Sequence, residues 1–238
     1  MEYYQINQSA FYLNEAGVKT LTPFASFDDE NNISRYFVKI IKGKRPHLTE
    51  PINSFTLLSI SSGPYIDPNP SDFIQFLYAP IKWCLLLSER AYRAILEVYP
   101  FFSYYCYRSI VHNNGIEYIY YFVIFTKWDV EKLYDFSRSE YIIRNRDDFT
   151  KFDKYHKKIK SAKQFRLTEE SVFANNQRNV LEFSKLKLKF NLGIFIDYKS
   201  MKWIVSCDVK NQLSNIGPKG VEYNNIDYKI EYKWYDNG

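Results

Sequence analysis

Apolar positions in this chain fall into short runs separated by polar breaks, and two of these runs stop at a serine. Leu85-Leu86-Leu87 ends at Ser88, and Trp203-Ile204-Val205 ends at Ser206. Runs this short suit buried strands, and a serine hydroxyl can accept a hydrogen bond from a backbone N–H two or three residues on. Each serine therefore predicts a helix N-cap. Beyond Ser88, Ala91, Ile95 and Val98 recur at helical spacing; beyond Ser206, Val209 and Leu213 repeat its first two steps. Glu89 and Asp208 place a negative charge in each first turn, where the helix dipole favours it. The second helix should end at Gly217-Pro218. So short a match fits either an internal duplication or the sameness of any capped helix that follows a strand.

The same patterning predicts strands at 3–6, 10–13, 36–41, 55–60 and 141–143, and a short helix over 71–77 capped by Ser71. Asn114-Gly115 lies between strand-like runs at 102–111 and 116–126, the strongest short-range hairpin signal. Phe152, Tyr155 and Ile159 fit a helix across 151–163 with a thin apolar edge. Later runs at 180–183, 186–190, 193–198 and 221–223 look strand-like. The expected class is α+β: mainly antiparallel sheet, a long aromatic β-hairpin and a few capped helices. No glycine-rich or proline-rich linker divides the chain. It is expected to be one structural unit, 1–238, divisible into lobes at 1–143 and 166–238 joined by a basic helical segment at 144–165.

Composition sharpens this picture at three points. There are 22 Tyr and 19 Phe against 8 Gly, which favours strands over glycine-built phosphate loops. Tyr104, Tyr105, Tyr107, Tyr118, Tyr120 and Tyr121 crowd both faces of the expected hairpin. That distribution implies either burial on both sides or an exposed face suited to binding another protein. The net charge of +5 is matched by residues 151–163 alone, where six lysines face one aspartate. Such a run is either a solvated face or a surface for phosphates or an acidic partner.

Candidate chemistry is sparse. The three cysteines, Cys84, Cys106 and Cys207, form no C-x-x-C pair and sit in apolar segments, so they are expected to be reduced core residues. His47, His112 and His156 stand apart from one another and from other metal ligands. There is no G-x-G-x-x-G, Walker loop, G-x-S-x-G or H-E-x-x-H. No catalytic residue, cofactor or metal is expected, and Ser88 and Ser206 are expected to act as structural caps. The opening residues carry neither a basic region nor an apolar core, which predicts a cytoplasmic protein.

Several short motifs resemble those of a known family. Ser88-Glu89-Arg90 after Leu87, the following aromatic ribbon, Trp128-Asp129-Val130 and Asp135-Phe136-Ser137-Arg138-Ser139 are similar to immunity proteins of bacterial polymorphic toxin systems, whose hallmark is a V-S-E-R helix. In that family a D-F segment precedes the hallmark, as Asp72-Phe73 does here. A second V-S helix followed by G-x-x-G-V-x-F corresponds to Val205-Ser206 and to 217–223. The chain departs from the pattern at Leu87, where valine is usual, and at Cys207-Asp208, where glutamate is usual. The resemblance spans roughly 55–226. It implies a non-enzymatic protein whose partner is a cognate toxin. Tyr104, Tyr105, Tyr107, Tyr118 and Tyr120, with Lys157 and Lys158, are then the candidate contacts. The alternative reading is a nucleic-acid-associated protein acting through the 151–163 lysines.

Overall fold

The computed structural model describes residues 2–8, 11–13, 19–21, 24–27, 54–58, 71–74, 84–99, 106–113, 116–124, 132–148, 150–200 and 202–232. Its first strands are β1 (Tyr3–Gln8), β2 (Phe11–Leu13), β3 (Lys19–Leu21), β4 (Phe24–Phe27), β5 (Ser54–Leu58) and β6 (Phe73–Ile74). They are followed by β7 (Cys84–Ser88), helix α1 (Glu89–Val98), β8 (Cys106–Asn113), β9 (Ile116–Ile124), β10 (Glu140–Asn145) and β11 (Phe152–Tyr155). The chain continues through α2 (Ala162–Asn175), β12 (Asn179–Leu188), β13 (Ile194–Ile196) and β14 (Trp203–Ser206), then α3 (Cys207–Asn215), β15 (Val221–Asn225) and β16 (Lys229–Tyr232). The class is α+β with mostly antiparallel sheets, as the patterning predicts. Parallel pairing is found between β5 and β8 and between β12 and β16.

Two compact units interleave along the sequence. One takes Met1–Tyr3, Trp128–Leu192 and Asn225–Gly238; the other takes Tyr4–Lys127 and Gly193–Asn224. Segment 144–165 therefore lies inside one unit and does not join two lobes. The reason is a non-local pairing, Leu186 with Ile230, that returns β16 to the sheet of β12.

In the larger unit a six-stranded sheet runs β4-β5-β8-β9-β7-β6, and a four-stranded sheet runs β13-β14-β1-β15. The aromatic hairpin forms with Asn113 opposite Ile116 and Cys106 opposite Val123. Leu85, Leu87, Ala91 and Ile95 meet Trp203, Val205, Val209 and Leu213 in one buried core. The α1 stripe runs through Ala94 and ends at Ile95; Val98, expected to continue it, is 41% exposed.

Both serine caps form. Ser88 Oγ accepts from Ala91 N and Ser206 Oγ accepts from Val209 N. The likeness between the two stretches extends beyond the caps. β6 lies antiparallel to β7 with Phe73 opposite Leu87, and β13 lies antiparallel to β14 with Ile194 opposite Val205. Ser88 N donates to Asp72 O (3.0 Å), and Ser206 N donates to Gly193 O (2.8 Å). Asp72 and Gly193 thus hold equivalent places at the entry of the two stretches. The helix 71–77 is absent at Phe73–Ile74, because this backbone pairs with β7. Ser71 Oγ still accepts from Phe73 N (3.3 Å), but it closes a turn and not a helix.

The smaller unit has one sheet, ordered β11-β10-β12-β16, with α2 against β12. β12 covers two runs read separately in the sequence. Phe165 of α2 stacks on Phe183 with centroids 5.1 Å apart, and Phe136 and Tyr141 complete an aromatic core. The helix expected over 151–163 is replaced by β11, paired with β10 from Tyr141 opposite Tyr155 to Arg144 opposite Phe152. The helix starts only at Ala162. There Ser161 Oγ accepts from Gln164 N (3.2 Å), and the Gln164 side chain accepts from Lys160 N (2.8 Å). These two bonds fix the first turn at that point and leave the upstream residues to the sheet. Among the described residues no helix is long and apolar enough to cross a membrane. The strand expected at 36–41 lies outside the described residues.

Candidate functional site

Asp72, at the start of β6, is 2% exposed and collects four donors. Ser88 Oγ (2.5 Å) and Arg90 Nε (2.7 Å) donate to its Oδ1; Arg90 Nη2 and Lys219 N donate to its Oδ2, the latter at 2.7 Å. Its own N–H donates to Lys219 O (3.0 Å). A buried carboxylate is tolerated only when its lone pairs are met, and here each oxygen accepts two bonds. Arg90 donates onward to the carbonyls of Ile216 (3.3 Å) and Gly217 (3.5 Å), just past the end of α3. Hydrogen bonding to Asp72 holds its guanidinium above its usual pKa. Gly217, with φ of +59°, lets the chain turn there at no Cβ cost.

The neighbouring Ser71 Oγ donates to Lys219 O (3.0 Å), and the buried Tyr120 hydroxyl donates to Ser71 O (2.5 Å). Pieces far apart in sequence, 71–73, 88–90, 120 and 216–220, are thereby tied into one knot. Ser88 does more than cap α1: its hydroxyl proton goes to Asp72 while its oxygen takes the Ala91 N–H.

The knot forms one wall of an open groove of about 780 Å³, also lined by Arg93, Glu117, Tyr118, Ile119 and Tyr120. Arg93 pairs with Glu89 (2.7 Å), and Glu117 lies 3.8 Å from His112 Nδ1 across the hairpin. Ile116 and Ile119 are 46% and 37% exposed at this end of the ribbon. The groove thus offers apolar side chains bordered by both signs of charge, an arrangement suited to a protein surface.

The expected partner-binding residues separate under this geometry. Tyr118 is half-buried and lines the groove. Tyr120 is 2% exposed and bound to Ser71, so its ring is core. The backbone of Tyr107 pairs with Phe122; its side chain, Tyr104 and Tyr105 lie outside the described residues. Tyr121 stacks on Tyr92 with centroids 3.9 Å apart. Lys157 and Lys158 are exposed in the irregular segment after β11, within the smaller unit.

Cys106 and Cys207 are free thiols and half-buried, and Cys106 packs against the core of the larger unit; the Cys84 side chain lies outside the described residues. Burial pushes the Cys106 thiol up to about 12, partly offset by a hydrogen bond with Tyr92. His156 is exposed, and His47 lies outside the described residues. Among the described residues no group of three His, Cys, Asp or Glu side chains is placed to hold a metal ion.

Asp72 and Arg90 are the site residues that sequence reasoning passed over. Their signal was present as Asp72-Phe73 and Ser88-Glu89-Arg90, but nothing in either string says that one closes on the other. Compared with known proteins, the chain matches no family model and no curated protein.

Proposed function

We propose that this protein is an immunity protein that binds and neutralises a cognate bacterial toxin. The observation that carries the reading is the knot at Asp72. The family likeness rests on short motifs at 72–73, 88–90 and 217–223, and Asp72 and Lys219, which meet, are 147 residues apart. Motifs matched by coincidence have no reason to meet, whereas these close on a single buried carboxylate through Ser88, Arg90 and Lys219. On this reading the hallmark residues hold the scaffold, and recognition falls to the groove beside them.

Tyr118, Ile119 and Arg93 are the contacts we assign to the toxin. Interface energy concentrates in aromatic, aliphatic and arginine anchors surrounded by polar side chains. The test is co-expression with the toxin-like reading frame beside its gene, with growth as readout. Rescue by the unaltered chain, and its loss in Ile119→Asp and Tyr118→Ala variants that stay soluble and folded, is the expected result. Cell death despite soluble expression of the unaltered chain would defeat the reading for that pair. Rescue by both variants would move the interface off the groove.

A further inference from the structure

Within the smaller unit β11 is the outer strand of its sheet, bonded to β10 on one side and to no strand on the other among the described residues. Asn145 N donates to Lys151 O (3.2 Å). Main-chain groups alternate in an antiparallel ladder, so Lys151, Asp153 and Tyr155 face β10 while Phe152 and Lys154 direct their N–H and C=O outward. The Phe152 side chain is 57% exposed beside this free edge.

The charge on this edge is also distinctive. Elsewhere in the sheet cations are matched: Lys185 with Glu140, Lys187 and Lys229 with Glu231, Arg144 with Glu182. Lys154, Lys157, Lys158 and Lys163 have no carboxylate partner among the described residues. Lysines on an edge strand discourage pairing with a second copy of the same basic edge, and they select a strand of opposite charge.

We infer that β11 is a docking edge for an extended acidic segment of a partner protein. The segment adds as a further strand beside Phe152–Tyr155, packs apolar side chains on Phe152 and sets carboxylates against Lys154, Lys157 and Lys158. Main-chain hydrogen bonds supply affinity and the lysines supply selectivity, the division of labour in strand addition. A nucleic acid would neutralise the lysines but leave the outward main-chain groups of Phe152 and Lys154 unused. This inference stands apart from the immunity reading, because the surface, the probe and the readout all differ.

The experiment titrates the full chain into a labelled peptide of alternating glutamate and valine, a lysine–valine counterpart and a single-stranded oligothymidylate. The acidic peptide should bind and the basic one should not. Lys157→Glu with Lys158→Glu should abolish most of that binding. Lys154→Pro, which removes an outward N–H without cutting the ladder to β10, should bind about tenfold more weakly than Lys154→Gln, the effect of one lost hydrogen bond. Isotope-edited infrared spectra should show the bound peptide as extended strand. Absence of binding, a bound peptide without the strand signature, or unchanged binding in the Lys157/Lys158 variant would overturn the inference. Salt-steep binding of the oligothymidylate with none of the peptide would assign the lysines to nucleic acid instead. Should Lys154→Pro lower the melting temperature, the infrared signature on the unaltered chain decides.

Discussion

Asp72 grips the guanidinium of Arg90 at two points, Nε on Oδ1 at 2.7 Å and Nη2 on Oδ2, with Asp72 buried and the Arg90 side chain 46% exposed. Every group around that carboxylate is a donor: the Ser88 hydroxyl, the Arg90 fork and the Lys219 N–H. Asp72→Asn keeps the shape but turns one acceptor into a donor facing donors. Breaking a fully buried pair costs roughly 3–5 kcal/mol, and the exposure of Arg90 reduces this to about 2 kcal/mol. A fall in Tm of roughly 4–8 °C in calorimetry is expected. An unchanged Tm would show that the knot does not hold the fold.

The two serine caps should not be equivalent. Ser206 loses one cap bond on mutation to alanine, about 1 kcal/mol. Ser88→Ala also leaves a buried carboxylate one donor short, for a total of about 2 kcal/mol. Denaturant midpoints of the two variants, measured side by side, check the order; equal losses would mean that the Ser88 to Asp72 bond contributes nothing.

Gly193 occupies the place beside β14 that Asp72 fills beside β7, and space is its reason. A Cβ there would lie 2.7 Å from Tyr99 Cγ and 2.9 Å from Tyr99 Cβ. Gly193→Ala should therefore destabilise by about 2 kcal/mol through overpacking, and Tyr99→Ala in the same chain should recover part of the loss. A double-mutant cycle in urea measures the coupling, and strictly additive losses would refute the contact.

Glu231 predicts an acid-side dependence. Hydrogen bonds from Lys187 and then Lys229 hold its carboxyl down at about 2. Its pKa is lowered on folding, so the stabilisation is fully present above the unfolded carboxyl pKa of about 4.3 and is lost as pH falls from there through about 2. Glu231→Gln should flatten the fall of Tm across that window and leave the slope near neutral pH unchanged. Parallel slopes in acid for the two proteins would show that the pair does not persist in solution.

Local physics decided much of this molecule in advance. Ser88 and Ser206 start helices because a hydroxyl needs only an N–H three residues away. The hairpin signalled between the two aromatic runs is found as the ladder of β8 and β9, with Asn113 opposite Ile116, because the paired runs are neighbours in sequence. The mainly antiparallel α+β class follows from short aromatic runs. Other outcomes depended on partners far along the chain. Residues 151–163 carry a helix-like spacing, yet Phe152–Tyr155 becomes a strand because β10 offers a ladder, and Phe73–Ile74 does the same beside β7. Tyr118 and Tyr120 have the same identity on the same strand face, but only Tyr120 finds the Ser71 carbonyl and disappears into the core. The fate of Asp72 was the least legible of all. A carboxylate in a string of 238 residues reads as surface until the fold delivers Ser88, Arg90 and Lys219 to it, and that delivery belongs to tertiary structure alone.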